Sequence, residues 1–468
     1  GESIPEGFDM LGNASANYDA STSYFDESNL SYLGLLNYSF QNRYLIDASI
    51  RREGNSKFHP DNRWGTFWSI GAAWNIMEED FLINNEALST LRLRGSYGTA
   101  GNSGIGRNLY QNTLGTDRYN GNIGFVPTQL GDKITWEILH KTDVGVNLGF
   151  FNDRYTASFA YFKSVTKDLL LSVPVTRTSG YTSITMNTGE LENKGFEVEL
   201  SANVIKTDNF SWTLYGNLGT VKNKILSMPV DASGEKMTIT NSFNRIEEGY
   251  EMRGWYMRKY AGADPQTGEA TWYVNGKDGE TTNVYNDAEV TWQGDSAMPK
   301  YSGGFGSQVE LGNFFASVNF SFAGGNKVYE DWGNYVQGTT TTALLNYNST
   351  DYILDRWQNP GDITNTPKLT FSSNDAHRPS TRFLKDGDYI RLRDITFGYN
   401  FKGNFLSQMN LDGLSLSVRG TNLYTWTKDK SLKFDPEVGM NAGDGSYGYT
   451  GFISPPVKSV IFTVNVKF

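Results

Sequence analysis

Apolar and polar residues alternate along most of this chain, and this period of two is the property that most restricts its fold. In the stretch NKGFEVELSANV, Phe196, Val198 and Leu200 fall on one side of an extended strand, and Glu197 and Glu199 fall on the other. Successive side chains of a β-strand point to opposite faces, so the pattern predicts strands with one apolar face and one polar face. Helical periodicity is nearly absent, and one short helix is predicted at about 77–88.

The connections between the predicted strands are short and long in alternation. Turns such as Gln41-Asn42 and Gly312-Asn313 are short, whereas the alternate connections are long and rich in Gly, Asn, Asp, Thr and aromatic residues. This arrangement is typical of a transmembrane antiparallel β-barrel with short periplasmic turns and long extracellular loops. We therefore predict an all-β chain, with an extracellular loop segment at 1–28 and barrel strands within 29–468. The largest external loops are predicted at about 101–135, 223–299, 325–387 and 427–457.

The number of predicted strands is odd. They lie near 29–40, 43–54, 64–76, 90–100, 136–150, 154–167, 188–204, 209–222, 300–311, 313–324, 388–400, 413–426 and 458–468. With 13 antiparallel strands, the first and last run in the same direction and cannot pair to close a barrel. Unpaired backbone groups in lipid are costly, so we expect the C-terminal part of a larger barrel. A further hairpin is predicted within the 223–299 loop, around GADPQTGEATWYV.

Composition excludes several classes of protein. No stretch approaches the ~20 consecutive apolar residues of a membrane-spanning helix. The net charge of −10 and the pI of about 5.0 argue against a nucleic-acid partner. The chain has no Cys, and its three histidines, His59, His140 and His377, lack metal-ligand spacing. We therefore predict no metal site and no catalytic site built on these residues.

Two sets of carboxylates have the composition of a chemical site. Glu197 and Glu199 share a strand face, as a glycosidase pair could, but the same face continues into Ser201 and Asn203, as a wetted lumen wall would. The stretches NGKDGETTNVYNDAEV and DPEVGMNAGDG contain oxygen ligands of the kind that calcium prefers, without full EF-hand spacing. Lumen lining and plain Gly-rich turns are the favoured interpretations. No cofactor is predicted, and bound calcium stays the alternative.

A series of motifs follows in order along residues 30–468. They are IRREGNSKFHPDNRWGTFWSIGAAWNIMEEDFL, LRLRGSYGTAGNSGIG, NTGELENKGFEVEL, MPKYSGGFG, DRWQNPGD, DYIRLRDITFGYNF, LSLSVRGTNLYTWTKDKSLKFDPEVG and the terminal strand. The ordered set resembles the SusC/RagA-like TonB-dependent outer-membrane transporters. The resemblance implies the C-terminal portion of a 22-stranded barrel, with about nine strands, the plug domain and the Ton box outside this chain.

The resemblance also implies a function and partners. It implies active import of oligosaccharides or peptides across the outer membrane of a Gram-negative bacterium, with no enzymatic activity in this chain. The implied partners are a SusD-like surface lipoprotein that acts as a lid, TonB, the barrel-assembly machinery and outer-membrane lipid. The alternatives are a soluble β-rich carbohydrate-binding or hydrolytic protein, and a passive porin.

The sequence suggests candidate residues for a substrate site and for an assembly signal. Aromatic residues of the long loops could stack on a substrate, and these are Trp272, Trp292, Trp332, Tyr335 and Trp357. Arg391, Arg393 and Arg419 are expected to point into a charged lumen. The terminal aromatic residue, Phe468, matches by resemblance the signal that the barrel-assembly machinery reads.

Overall fold

The computed structural model describes residues 26–468 apart from 120–121, 232, 241–242, 341–345, 372–373, 404–405, 407, 438–447 and 452–453. Thirteen strands form one continuous antiparallel sheet in sequence order. They are β1 (Asn29–Phe40), β2 (Tyr44–Asn55), β3 (Trp64–Asn75), β4 (Leu88–Asn102), β5 (Glu137–Phe150), β6 (Tyr155–Lys167), β7 (Glu190–Lys206), β8 (Phe210–Thr220), β9 (Tyr301–Leu311), β10 (Phe314–Gly324), β11 (Tyr389–Phe401), β12 (Gly413–Thr427) and β13 (Ser459–Lys467). A short strand, Lys222–Ser227, also pairs with β7.

The sheet has the two faces that the alternation predicts. On the apolar face, Phe196 pairs with Tyr161 and Phe462 with Val418. Phe196 and Phe462 are 60% and 80% exposed, although water-soluble proteins rarely leave a continuous apolar surface uncovered. The opposite, polar face carries Glu197 and other charged, amide and hydroxyl side chains. An apolar outer band with a polar inner wall is the surface pattern of an outer-membrane barrel.

The two rims of the sheet differ in their connections. At the short-turn rim, two to four residues join β1 to β2, β5 to β6, β7 to β8 and β9 to β10, and longer segments occupy 76–87 and 402–412. Gln41 and Asn42 both have positive φ, which matches the right-handed twist of the strands across a tight hairpin. At the long-loop rim, the connections are 56–63, 103–136, 168–189, 221–300, 325–388 and 428–458.

The connections at the long-loop rim contain secondary structure of their own. Besides Lys222–Ser227, their described strands are Thr113–Tyr119, Asn122–Gln129, Leu170–Pro174, Ser183–Asn187, Ile239–Thr240, Asn244–Ile246, Gly254–Arg258, Tyr260–Ala263, Ala270–Tyr273, Thr281–Thr282, Val290–Ser296, Lys327–Tyr329 and Leu384–Asp386. One helical turn, α1, spans Gly333–Val336, and 3-10 turns cover Arg177–Ser179, Tyr285–Asp287, Asp351–Asp355 and Thr381–Phe383.

Three of these connections pack together into what we call the loop layer, the described parts of 221–300, 325–388 and 428–458. One core of this layer surrounds Trp255, which is 0% exposed. Tyr329 and Phe383 from the second connection belong to the same core, and Tyr449 from the third packs against it. The Trp255 and Tyr449 rings lie 5.6 Å apart. The long loops are therefore held in place by buried aromatic contacts with one another.

Most local predictions agree with the structure. All 13 predicted strands are confirmed, with ends shifted by at most two residues, and the loop hairpin is formed by Tyr260–Ala263 and Ala270–Tyr273. The helix predicted at 77–88 is wrong, since the structure has a 3-10 turn at Ile76–Glu78 followed by further turns. Asn85 ends these turns by accepting hydrogen bonds from the amides of Ala87 and Leu88. Of the predicted loop segment 1–28, residues 1–25 lie outside the described part.

Among the described residues, no helix is long and apolar enough to span a membrane. Within the same residues, β1 and β13 each have a strand partner on one side only.

Candidate functional site at the long-loop rim

The polar face of the sheet forms a charged wall below the loop layer. Arg94 on β4 pairs with Asp143 on β5 at 3.1 Å. Farther round the same face, Arg419 on β12 pairs with Asp394 on β11 at 3.1 Å. Charges of both signs therefore line this wall. Such a surface can solvate a polar solute, whereas the apolar face cannot.

Glu197 and Glu199 lie exposed on this wall, opposite Gly219 and Asn217 of β8. The three histidines are in different elements: His59 is in the 56–63 connection, His140 is on β5 beside Tyr97, and His377 is exposed on the loop layer. Across the described ranges, no group of three or more His, Cys, Asp and Glu residues is placed to hold a metal ion.

A buried ion-pair cluster joins the wall to the loop layer. Arg391 on β11 is 1% exposed and pairs with Asp435 and Glu437, and Glu437 also pairs with Arg393. The Tyr389 hydroxyl donates a further hydrogen bond to Glu437. We call these five residues the arginine clamp. It connects the DYIRLRD motif to the DPE motif, and both carboxylates of the second motif take part in ion pairs.

A β-bulge positions the charged residues of β11. Asp394 pairs with Asn319 of β10, and Leu392 pairs with the adjacent Phe320. Arg393 is therefore an extra residue in β11. Because one residue is added, Arg391 and Asp394 share the polar face although they are three residues apart. Asp394 then reaches Arg419 at 3.1 Å. Of the three predicted lumen arginines, Arg391 is enclosed in the clamp, and Arg393 and Arg419 are partly exposed.

The candidate substrate-stacking aromatics fall into separate packing groups. Trp272 is fully buried in a small core with Tyr285. The Trp292 ring stacks on Tyr250 at 4.1 Å, with an angle of 3° between their planes. The Trp357 indole N–H donates to the Pro265 carbonyl at 3.0 Å. These three residues hold loops together.

The other two aromatic candidates lie at the helical turn α1 of the loop layer. Trp332 precedes α1, and its ring meets the edge of Phe434 at 6.4 Å. Tyr335, within α1, is 41% exposed and contacts Tyr347 with its ring. Tyr335 therefore keeps the most accessible ring among the candidates that the sequence suggested.

Glu330 is a buried charged residue of the loop layer that sequence reasoning missed. It is 0% exposed, and neither carboxylate oxygen receives a well-formed hydrogen bond from the described residues. Burial raises the pKa of Glu330 to about 7, although Lys385, Gln337 and Arg382 favour its charged form. Nothing in the local sequence, KVYEDW, distinguishes this residue from an exposed glutamate.

Comparison with known proteins assigns the family. The family described as "TonB dependent receptor-like, beta-barrel" matches residues 5–423. This chain belongs to that family. The SusC/RagA-like resemblance is also confirmed, because the chain is 29% identical over 451 residues to TonB-dependent receptor SusC of Bacteroides thetaiotaomicron, covering 89% of this chain and 42% of that protein.

Two further similarities extend over nearly the whole chain. TonB-dependent receptor P26 of Formosa agariphila is 30% identical over 495 residues, covering 99% of this chain and 48% of that protein. The RagAB peptide importer in its "closed-closed" state matches with a TM-score of 0.84 and 25% identity, covering 99% of this chain and 50% of that chain. The chain thus spans about half the length of the relatives that it matches.

Proposed function

We propose that this chain forms the wall and external mouth of a TonB-dependent importer in the outer membrane of a Gram-negative bacterium. The apolar face meets lipid, the polar face lines the lumen, the long-loop rim is extracellular and the short-turn rim is periplasmic. The observation that carries the proposal is the continuous two-faced sheet topped by a packed loop layer, which superposes on the RagAB peptide importer.

The proposal includes a substrate and partners. Oligosaccharides or peptides enter between the loop layer and a SusD-like lipoprotein lid, and energy delivered through TonB releases them inward. RagAB is described as a peptide importer, and this supports the peptide branch of the proposal. The chain performs no bond chemistry, which agrees with the dispersed histidines and with the exposed lumen positions of Glu197 and Glu199.

Uptake by the full-length protein tests this function. We expect the protein to require detergent for extraction, to co-purify with a surface lipoprotein, and to support uptake that is lost when TonB is inactivated. Uptake that continues without TonB would favour a passive porin. Recovery in the soluble fraction, or turnover of a glycan by the purified protein, would favour the soluble β-rich alternative.

Two aromatic substitutions separate substrate contact from loop packing. Replacing the exposed Tyr335 with Ala is expected to weaken substrate binding by about 1 kcal/mol and to lower the unfolding midpoint less than the loss of a half-buried ring does. Replacing the half-buried Trp357 with Ala should lower the free energy of unfolding by about 2 kcal/mol, because its ring packs over Gly268. Calorimetric titration and thermal unfolding of both variants measure the two effects. Equal affinity losses would show that Tyr335 has no special role.

Removal of the terminal aromatic residue tests the proposed assembly signal. Phe468 directly follows β13 and is 86% exposed. We expect deletion of Phe468 to reduce the amount of protein in the outer membrane severalfold, with little change in ligand affinity of the molecules that assemble. Substitution of the neighbouring Lys467 by Ala is the matched control and should leave the level unchanged. Normal surface levels of the deletion variant would contradict this role.

A further inference from the structure

The connection between β3 and β4, residues 76–87, is attached to the barrel wall by Glu79. One Glu79 carboxylate oxygen accepts bonds from the Tyr44 hydroxyl at 2.7 Å and the Trp74 indole N–H at 2.9 Å. The other oxygen accepts from Arg43 at 3.3 Å, and Arg43 also binds Asp80 at 2.8 Å. This carboxylate is 13% exposed, so the connection is fixed to the wall at this point.

The side of the wall that holds Glu79 is the apolar face. Tyr44 pairs with Trp74 across β2 and β3, and their rings stack at 6.4 Å. Both side chains share the face of Ile46 and Ile70, which are exposed and apolar. The connection therefore bends towards the apolar face at the short-turn rim, and away from the lumen.

Two apolar side chains of the same connection are left uncovered. Phe81 is 72% exposed and Ile83 is 59% exposed, although the turns around them are well formed. The amides of Leu82 and Ile83 both donate to the Glu79 carbonyl, at 2.9 and 3.0 Å. The fixed backbone thus presents Phe81 and Ile83 beside the apolar band, among charged and amide neighbours.

We propose that residues 76–87 are a membrane-interface anchor whose Phe81 and Ile83 insert among phospholipid chains just below the headgroups. This inference rests on the proposed membrane placement of the apolar face. Apolar side chains beside charged groups, held at the end of a lipid-facing surface, match the composition of that boundary. Arg43, Glu78 and Asp80 remain in the headgroup region, and Glu79 positions the backbone through Tyr44 and Trp74.

Spin labelling in phospholipid nanodiscs tests the anchor. This chain has no Cys, so single cysteines can be placed at Phe81, Ile83, Ile46 and Asp208 of the full-length protein, after replacement of any cysteine outside this sequence. Ile46 is the lipid-facing control, and Asp208 is an exposed control in another turn of the same rim. Relaxation by oxygen reports contact with lipid, and relaxation by a water-soluble nickel chelate reports contact with water.

We expect labels at 81 and 83 to show a ratio of oxygen to nickel accessibility severalfold above that at 208 and approaching that at 46. A water-like ratio at 81 and 83 with a lipid-like ratio at 46 would overturn the anchor and leave the membrane placement standing. Protection from both reagents at 81 and 83 would indicate a protein partner and would also overturn it. Water-like ratios at all four positions would reject the membrane placement itself.

Discussion

Replacing Arg391 with Met is expected to lower the free energy of unfolding by about 3–5 kcal/mol, the usual result of breaking a buried ion pair from one side. The arginine is 1% exposed, and the side chains of its partners Asp435 and Glu437 are only 11% and 13% exposed. Without the guanidinium, Asp435 loses its charge partner inside the protein. Guanidinium unfolding of the detergent-solubilised protein, followed by tryptophan fluorescence, measures the change.

A second arginine of the same wall provides the matched control. Arg419 pairs with Asp394 at 3.1 Å, but its side chain is 52% exposed. Because solvent screens such a pair, Arg419→Met should cost at most about 1 kcal/mol. A double variant, Arg391→Met with Asp435→Asn, should recover part of the loss, since one unpaired carboxylate is removed. Equal destabilisation by the two single Met variants would show that burial does not increase the contribution of Arg391 to the free energy of unfolding.

The contrast between wall and loops explains how much the sequence could predict. Strands of the wall are specified locally, because each alternates an apolar and a polar side chain, and all 13 were identified by that pattern. Contacts in the loop layer are specified by distant residues. Arg391 and Asp435 are 44 residues apart, and their motifs carry no sign that they meet.

Within the candidate site, the sequence also does not predict which loop side chains are buried and which are exposed. Trp272 and Tyr335 both occur in Gly- and Thr-rich loops, yet Trp272 is fully buried and Tyr335 is 41% exposed. Irregular loops have no repeating apolar pattern that predicts which side chains are buried. From composition alone, both residues are therefore candidates for stacking on a substrate. The helix predicted at 77–88 failed for a related reason. Its apolar residues Phe81 and Ile83 have no core to pack against, and helix propensity alone does not stabilise so short a segment.

Substituting Glu330 with Gln is expected to stabilise the protein at alkaline pH and to have little effect under acid conditions. Burial in the loop layer raises the Glu330 pKa from its ordinary value of 4.5 to about 7, so the folded protein holds this proton more tightly than the unfolded chain does. Below pH 4.5 both states are protonated, and the residue carries no penalty. As the pH rises from 4.5 to 7 the unfolded chain releases the proton first, and stability falls. Above pH 7 the ionised Glu330 lowers the free energy of unfolding by its full amount, about 3 kcal/mol.

The charged groups around Glu330 determine how far this cost is offset. Lys385 and Arg382 favour the carboxylate, whereas Asp429 opposes it. Burial in turn lowers the pKa of Lys385, and this weakens the compensation at high pH. Since the desolvation of Glu330 outweighs these charges, a neutral amide of nearly the same shape should be preferred whenever the carboxyl would be ionised.

Thermal unfolding of the detergent-solubilised protein at pH 5 and pH 8 measures this effect. The Glu330→Gln variant should unfold at nearly the wild-type temperature at pH 5 and several degrees higher at pH 8. Hydrogen exchange over 325–387 should show that the added protection lies in the loop layer. Glu86→Gln, at an exposed glutamate of the short-turn rim, is the control and should behave as wild type at both pH values. A variant less stable than wild type at pH 8 would mean that the Glu330 carboxylate has a partner that stabilises its charge, because only such a partner makes the ionised form preferable to a buried amide.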